Sequence, residues 1–204
     1  AQALREGIPA SATASAGVGA RAARMDAEAK TLGTGEYVDD LKVPGMLMAA
    51  VLRTPIPRAR ILSIDVSAAA AIEGVAAVMT AADIPGQQKW GHLKRDWPAM
   101  IGEGEETRYI GDALAIVAAR TKKIAQEAVR SIRLEYEELS PLLSPQESLA
   151  DTAPKLHPDG NVLNRVAFAR GDANQAIETA AHVVTRSYHT PFTEHAFLEP
   201  ESAL

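Results

Sequence analysis

The sequence predicts an α+β domain with a mixed β-sheet and helices packed on one face of that sheet. Segments with strand periodicity and segments with helix signals follow each other without the regular alternation that a doubly wound parallel sheet requires. The predicted strands also differ in kind, since some are apolar throughout and others alternate apolar and polar residues. Strands of the first kind are typical of burial on both faces, and strands of the second kind of burial on one face.

The first 29 residues are predicted to form a flexible arm. Residues 1–20 are rich in Ala, Ser and Gly and show no hydrophobic period, and residues 21–30 are polar with mixed charges. The glycines and Pro9 disfavour a helix in this part of the chain.

The domain is organised around the stretch from Gly33 to Pro55. This stretch contains an unbroken apolar run, Met46–Leu52, which follows the turn signal Pro44-Gly45 and ends before Thr54-Pro55. A short apolar run between turn signals predicts a buried strand whose register is set at both ends.

Further strands and helices follow in short pieces. Ala59–Val66 ends in an alternating pattern, which predicts a half-buried strand. Ser67 is placed as the N-cap of a short helix over residues 68–73, and Gly74 ends that helix. Val75–Met79 is a further apolar strand, followed by one helical turn.

Residues 86–106 are predicted to form a long surface loop that carries both tryptophans, Trp90 and Trp97. A loop of this length inside a compact domain is often functional or lies at an interface. A mobile loop whose tryptophans fold back onto the domain fits the sequence equally well.

A second strand–helix–strand series follows this loop. Ala113–Ala119 is apolar throughout and predicts a central buried strand. Thr121 is placed as the N-cap of a helix that runs to about Ser131, with an apolar stripe that we assign to core packing. Ile132–Tyr136 alternates again and predicts a strand.

Two helices and two strands are predicted beyond residue 140. A capping box at Ser144 begins one helix and Asp172 caps the other. Val162–Phe168 and His182–His189 have strand patterns. The chain stops at Leu204 in mid-pattern, which we interpret as a truncation.

Composition excludes several classes of function. The net charge of −5 and the lack of basic runs argue against a nucleic-acid-binding surface. Because the 204 residues include no Cys, thiolate metal sites and Cys nucleophiles are excluded within this chain. No apolar run has the length of a membrane span, and no secretory signal is recognisable, so we expect a cytoplasmic protein. Glycine-rich nucleotide-binding motifs and the HExxH metal motif are absent.

The densest polar group in the sequence lies in the C-terminal tail. It comprises His189, Glu194, His195, Glu199 and Glu201. Imidazoles and carboxylates could hold a metal or act as a general acid and base. Their spacing matches no standard metal motif, and neighbouring residues of an extended segment point to opposite faces. The sequence therefore favours hydrogen-bonded, buried polar groups at a domain junction over a metal site.

The other charged residues are interpreted as structural. The carboxylates expected to be turn, surface or solvated loop groups are Asp39, Asp40, Glu103, Glu105, Glu106, Glu135, Glu137 and Glu138. His92 and His157 are isolated in the sequence. Arg53 and Arg60 flank a Pro-rich turn, where arginines cap strand ends more often than they bind an anion.

Short motifs follow each other in a specific order along residues 18–204. They are Gly35–Asp40, Pro44–Leu47, Val51–Pro55, Ala59–Ile61, Gly74-Val75, Thr80–Gly86, Arg108–Gly111, the helix with Ala125, Ala128 and Val129, Glu135–Glu137, Arg170–Asp172 and Glu194–Glu201. Together they resemble the large subunit of the molybdenum hydroxylases, the xanthine dehydrogenase/aldehyde oxidase family. Gly111-Asp112-Ala113 departs from the family, in which Glu-Pro commonly follows the glycine.

The resemblance implies an α/β hammerhead domain at residues 30–150 and, at residues 151–204, a linker and the beginning of the first molybdopterin-binding domain. It implies an oxidoreductase that hydroxylates purines, N-heterocycles or aldehydes with water as the oxygen source. The implied cofactors are molybdopterin with molybdenum, and 2Fe–2S clusters and FAD in other domains or subunits. The expected partners are therefore the remaining molybdopterin-binding domains and the iron–sulfur and FAD subunits or domains.

No catalytic, cofactor-binding or metal-binding residue is assigned to this chain by the resemblance. The family residues that contact molybdopterin, orient the substrate and act as the general base lie downstream of the motifs present here. The chain is thus expected to be a scaffold portion that is not catalytic alone. A different class stays open: a free-standing binding or interaction module that uses the N-terminal arm and the Trp-bearing loop as contact surfaces.

Overall fold

The computed structural model describes residues 24–204, which form two compact units. One unit is Gly45–Thr185, and the other combines the described residues up to Pro44 with Arg186–Leu204. The strands are β1 (Met48–Arg53), β2 (Ala59–Asp65), β3 (Val75–Thr80), β4 (Lys89–Trp90), β5 (Trp97–Pro98), β6 (Ala113–Ala119) and β7 (Arg133–Glu138). The helices are α1 (Ala27–Leu32), α2 (Ser67–Ala70), α3 (Lys122–Ser131), α4 (Pro145–Ser148) and α5 (Ala173–Glu178), with 3-10 turns at Val38–Asp40 and Ala81–Asp83. None of the helices in this described part has the length and apolar character needed to span a bilayer.

Three antiparallel sheets make up the β-structure of Gly45–Thr185. The largest has the strand order β1-β6-β3, β2 pairs with β7, and β4 pairs with β5. The predicted α+β class is confirmed, but the expected mixture of parallel and antiparallel pairs is wrong for the described strands. A hydrophobic pattern carries no information about strand direction, and both neighbours of β6 run opposite to it.

Helix α3 packs on one face of the three-stranded sheet through very small side chains. Ala125 and Ala128 of α3 and Ala115, Val117 and Ala119 of β6 are all completely buried. Alanines let a helix approach a sheet closely, and each buried apolar group contributes free energy of folding. The helix begins as predicted at Thr121, whose side chain accepts a hydrogen bond from the Ile124 N–H.

An irregularity in β6 places two consecutive residues in the core. Leu52 pairs with Ala115 and Arg53 pairs with Ala113, which leaves Leu114 as an extra residue. Regular strands alternate between faces, but both Leu114 and Ala115 are fully buried. Leu114 thereby packs with Ile61 and Ile101 and connects the sheet to β2.

Strand β2 is bordered on both edges. Its registered partner is β7, and on the other side the backbone of residues 104–107 hydrogen-bonds to it. The Ile61 N–H donates to the Glu105 carbonyl at 3.0 Å, and the Thr107 N–H donates to the Ala59 carbonyl at 2.8 Å. The fully buried Thr107 hydroxyl also accepts from the Ala59 N–H at 2.8 Å. The end of the predicted surface loop is therefore part of the sheet structure.

Several local predictions differ from the structure. Val162–Phe168 and His182–His189 form no strand among the described residues. The predicted loop contains the β4–β5 hairpin. Of the predicted arm, residues 1–23 lie outside the described residues, and α1 begins within the remainder. An Asp26–Lys30 ion pair of 2.8 Å and a left-handed Gly33 accompany α1, neither of which a hydrophobic period would reveal.

We predict that Leu114→Ala lowers the free energy of unfolding by about 2–5 kcal/mol, because it leaves a cavity at the junction of β2 and β6. Chemical denaturation measures the change. Leu62→Ala on β2 is the matched control: the Leu62 side chain is 53% exposed, so its truncation should cost much less. Equal losses for the two variants would contradict the central position given to Leu114.

Candidate functional site

An ion cluster joins β2, β7 and residues 104–107. The Glu106 carboxylate accepts from Nη2 of Arg58 and Nη2 of Arg60, both at 2.8 Å. Arg60 also contacts Glu137 at 3.2 Å, and Arg58 donates to the Ser140 carbonyl at 3.1 Å. The hydrogen bonds from Arg58 and Arg60 hold the pKa of Glu106 below its usual range. The cluster fixes the strand-like segment against the sheet.

Two loops enclose a half-open cleft of about 470 Å³ in Gly45–Thr185. One wall is the β4–β5 hairpin and the other is the loop that follows α4. The lining residues are Gly91, His92, Leu93, Lys94, Asp96, Trp97, His157, Gly160, Asn161, Val162 and Leu163. These loops are far apart in sequence, so the cleft depends on tertiary contacts.

Ion pairs connect the two walls of the cleft. Lys94 Nζ lies 3.1 Å from Asp159 Oδ2. His157 Nδ1 lies 2.9 Å from Asp96 Oδ2 without the alignment of a hydrogen bond. Since exposed ion pairs contribute little free energy, these contacts set the spacing of the walls more than their stability.

The half-buried side chains of Arg108 and Asn161 hold the walls of the cleft through hydrogen bonds to the main chain. Arg108 donates from Nε to the Leu156 carbonyl at 2.9 Å and from Nη1 to the Asp96 carbonyl at 3.1 Å. Asn161 accepts from the Leu156 N–H at 2.8 Å. Its amide nitrogen donates to the carbonyls of Ser148 and Pro154 at 3.0 and 2.9 Å. These bonds to the main chain hold both loops in one conformation.

The surface that the cleft offers to a ligand is apolar. Leu93, Trp97 and Leu163 are 66%, 58% and 59% exposed, and Trp97 contacts the Tyr109 ring edge-on at 6.0 Å. Lys94, Asp96 and Asn161 are already engaged with protein groups. The arrangement is therefore suited to binding apolar groups and does not assemble a nucleophile with a base.

The polar group of the C-terminal tail is not assembled into a site. His189, Glu194, His195, Glu199 and Glu201 are all exposed in a segment without helix or strand, and Glu194 accepts from the His195 N–H at 2.9 Å. Across residues 24–204, no group of three or more His, Asp or Glu side chains is close enough to hold a metal ion. The buried arrangement favoured from the sequence is not seen among the described residues, where these five side chains are exposed.

The carboxylates of the predicted loop are structural and not simply solvated. Glu103 accepts from the Ile64 N–H at 2.8 Å, Glu105 from the Gly102 N–H at 2.9 Å, and Glu106 forms the ion cluster. Because a sequence does not show which strand a loop crosses, it could not reveal these partners.

Other predicted structural roles are observed. Asp40 accepts from the Tyr37 N–H at 3.0 Å in the turn that Asp39 shares. Arg53 donates to the Gly111 carbonyl at 2.8 Å and so caps the end of a strand. Glu135 and Glu138 are exposed on β7, and His92 lines the cleft.

Asp112 explains the departure from the family motif at Gly111-Asp112-Ala113. Its side chain is buried, and its carboxylate accepts from the N–H groups of Arg108 and Tyr109 at 2.6 and 3.4 Å. The position thus closes the turn before β6, a role that its place in the sequence did not suggest.

The profile of the aldehyde oxidase and xanthine dehydrogenase a/b hammerhead domain matches residues 32–140, just over half of the chain. The chain belongs to this hammerhead family. The predicted resemblance is therefore confirmed, together with the hammerhead fold.

Curated relatives and solved structures agree with the family. The chain is 38% identical over 181 residues to a probable xanthine dehydrogenase subunit of Bacillus subtilis (strain 168), covering 89% of this chain and 24% of that protein. It is 35% identical over 187 residues to the nicotinate dehydrogenase large molybdopterin subunit of Eubacterium barkeri, covering 92% and 44%. The structure of quinoline 2-oxidoreductase from Pseudomonas putida 86 superposes with a TM-score of 0.66 at 33% identity, covering 79% and 21%. The chain therefore spans between about a fifth and less than half of the length of these relatives.

The sequence did not single out several residues that shape the ion cluster and the cleft. Arg58, Arg108 and Asn161 each bond to main-chain groups that lie more than five residues away. The pair Gly160-Asn161 signals a turn, but it does not show which three main-chain groups the Asn161 side chain binds. Contacts of this kind follow from the path of the chain and leave no local pattern.

We predict that Glu106→Gln lowers the free energy of unfolding at neutral pH, because Arg58 loses its carboxylate partner and Arg60 keeps only the contact with Glu137. The pKa of Glu106 is lowered in the folded protein, so its contribution is complete above the ordinary glutamate pKa of about 4.3 and is lost as the pH falls through the folded-state pKa. The loss in free energy of unfolding caused by Glu106→Gln should therefore become smaller as the pH falls. Denaturation between pH 7 and pH 3 measures it, with Glu137→Gln, which removes one exposed contact, as a control expected to show a smaller effect. A deficit that is constant across this range would contradict the assignment.

A second expectation concerns the walls of the cleft. Asn161→Ala removes three hydrogen bonds at a half-buried position and should lower the free energy of unfolding by about 1–3 kcal/mol. Lys94→Ala breaks one exposed ion pair, for which about 0–1 kcal/mol is expected. Denaturation of both variants checks the order, and a larger loss for Lys94→Ala would show that ion pairs hold the loops together.

Proposed function

We propose that this chain is the N-terminal scaffold portion of the large subunit of a molybdenum-dependent hydroxylase and is not catalytic alone. The observation that carries the proposal is the hammerhead match over residues 32–140, together with a fold whose polar groups are used for structure. The cleft and the ion cluster hold loops in place and do not assemble reacting groups.

The proposal includes a division of the chain into three parts. Residues 1–29 are the arm, residues 30–150 the hammerhead domain, and residues 151–204 a linker and the beginning of the first molybdopterin-binding domain. Exposure in the third part supports its assignment to a larger domain: Phe168, Tyr188 and Phe192 are 91%, 91% and 108% exposed. Aromatic side chains of this size contribute most when they are buried, which is consistent with further domains covering them.

The cofactors of the proposed enzyme belong to its other parts. Iron–sulfur clusters need thiolates, and this chain contains no Cys. The described His and carboxylate groups do not converge on a common point. We therefore assign molybdopterin with molybdenum to the remaining molybdopterin-binding domains, and 2Fe–2S clusters and FAD to other domains or subunits, as the partners of this chain.

The proposed reaction is the hydroxylation of a purine, an N-heterocycle or an aldehyde with water as the oxygen source, in the cytoplasm. The names of the relatives support this range, since they include xanthine and nicotinate dehydrogenases, a quinoline oxidoreductase and an aldehyde oxidoreductase. The cytoplasmic location is the expectation drawn from the sequence.

The test is to purify the protein with its associated chains from its source and to measure molybdenum by mass spectrometry. Purines, N-heterocycles and aldehydes are then offered as substrates with an artificial electron acceptor in ¹⁸O-labelled water. We expect molybdenum in the preparation and ¹⁸O in the hydroxylated product of one substrate class. A preparation without molybdenum and without activity would overturn the proposal.

The apolar cleft favours a second candidate, an interaction module that keeps the hammerhead fold without an enzyme. Its contact surface would be the Trp-bearing hairpin, where Trp90 and Trp97 are both 58% exposed. The same measurement separates the two candidates, because molybdenum-dependent activity excludes the second.

A further inference from the structure

One face of the three-stranded sheet carries α3, and the opposite face includes six apolar side chains in two rows, with Arg53 at the end of β1 beside them. The strand registers place Ala49, Ala118 and Ala77 in one row and Val51, Ile116 and Met79 in the other. We call these six residues the outer sheet face. They lie opposite the positions that pack with α3, because side chains alternate along a strand.

Exposure confirms that the outer sheet face is open. The flanking side chains of Val51 and Met79 are 36% and 39% exposed, and Ala49 and Ala77 are also exposed. Ile116 and Ala118 in the central strand are half-buried by their neighbours. The face contains no charged or hydrogen-bonding side chain.

The composition of β6 is that of a strand covered on both sides. All seven residues of Ala113–Ala119 are apolar, a pattern typical of strands that are buried on both faces. Solvent-facing strands normally carry polar residues at alternate positions, as β7 does with Arg133, Glu135 and Glu137. The six positions of the outer sheet face carry no polar residue, and Arg53 follows them only at the end of β1.

We propose that the outer sheet face is covered by an amphipathic helix from the molybdopterin-binding part of the same subunit. The inference rests on the proposed function, which supplies that part. A helix satisfies its own backbone hydrogen bonds and can cover an apolar face without leaving polar groups unpaired. The two faces of the sheet would then be alike, since α3 already covers similar small residues on the other side.

The size of the face argues for an element of the same polypeptide. Three strands about 4.8 Å apart and two rows of side chains about 7 Å apart span on the order of 200 Å². An independent partner needs about 800 Å² on each side to offset the loss of translational and rotational freedom. A tethered helix does not bear that cost to the same extent.

Thiol accessibility tests the cover. The chain contains no Cys, so Ala49→Cys and Ala77→Cys each introduce a single thiol on the outer sheet face. Ala68→Cys, at the exposed start of α2, is the matched control. In the 204-residue chain alone, all three thiols should react at similar rates. In the molybdenum-containing enzyme, we expect the two face variants to react about tenfold or more slowly, as groups shielded by packed structure do, and the control to be unchanged.

The outcomes separate this inference from the proposed function. A molybdenum-containing enzyme in which the face variants react as fast as the control overturns the inference alone. A preparation without molybdenum overturns the proposed function and the inference together.

Cross-linking tests the identity of the cover. A photoreactive maleimide attached to the Ala77→Cys variant of the enzyme should link to residues spaced three or four apart in a downstream segment of the same polypeptide. Links to a separate subunit, to a second copy of the chain or to residues without helical spacing would overturn the proposal.

Discussion

The contact between α3 and the central strand β6 supports most of the hammerhead structure. Ala125 and Ala128 meet Ala115, Val117 and Ala119 without exposed surface. Because these side chains are small, helix and sheet approach closely, and a larger residue at any of them would force the layers apart. Strands β1 and β3 then pair with the two edges of β6, so the whole sheet depends on this packing.

Leu114 extends that core to the second sheet. A strand with regular alternation would have turned Leu114 away from Ala115, but the extra residue keeps both in the interior. Through Ile61 and Ile101 the core then reaches β2, and residues 104–107 are aligned along its other edge. The irregularity thus sets a second hydrophobic cluster beside the first, and the partly buried Leu52 and Ile64 pack against both.

Polar groups in this chain position backbone and do not perform chemistry. Arg108 and Asn161 bond to main-chain carbonyls, and Glu106 pairs with two arginines beside β2. Bonds of this type contribute modest free energy but specify one arrangement of long loops. What they leave on the surface is apolar: the cleft beneath the Trp-bearing hairpin and the outer sheet face. A scaffold that presents rigid apolar surfaces is consistent with a member of a family whose curated relatives are much longer.

The sequence by itself determined the elements that local chemistry specifies. The apolar runs of β1 and β6, the caps at Thr121, Ser144 and Asp172, and the ordered family motifs were all predictable, because each rests on neighbouring residues. Only the tertiary structure decided the antiparallel pairing, the partners of Glu103 and Glu106, and the cleft. These depend on which segments meet, and residues such as Arg58 and Glu106 are separated by 48 positions. His182–His189 shows the reverse case, since its strand pattern forms no strand among the described residues.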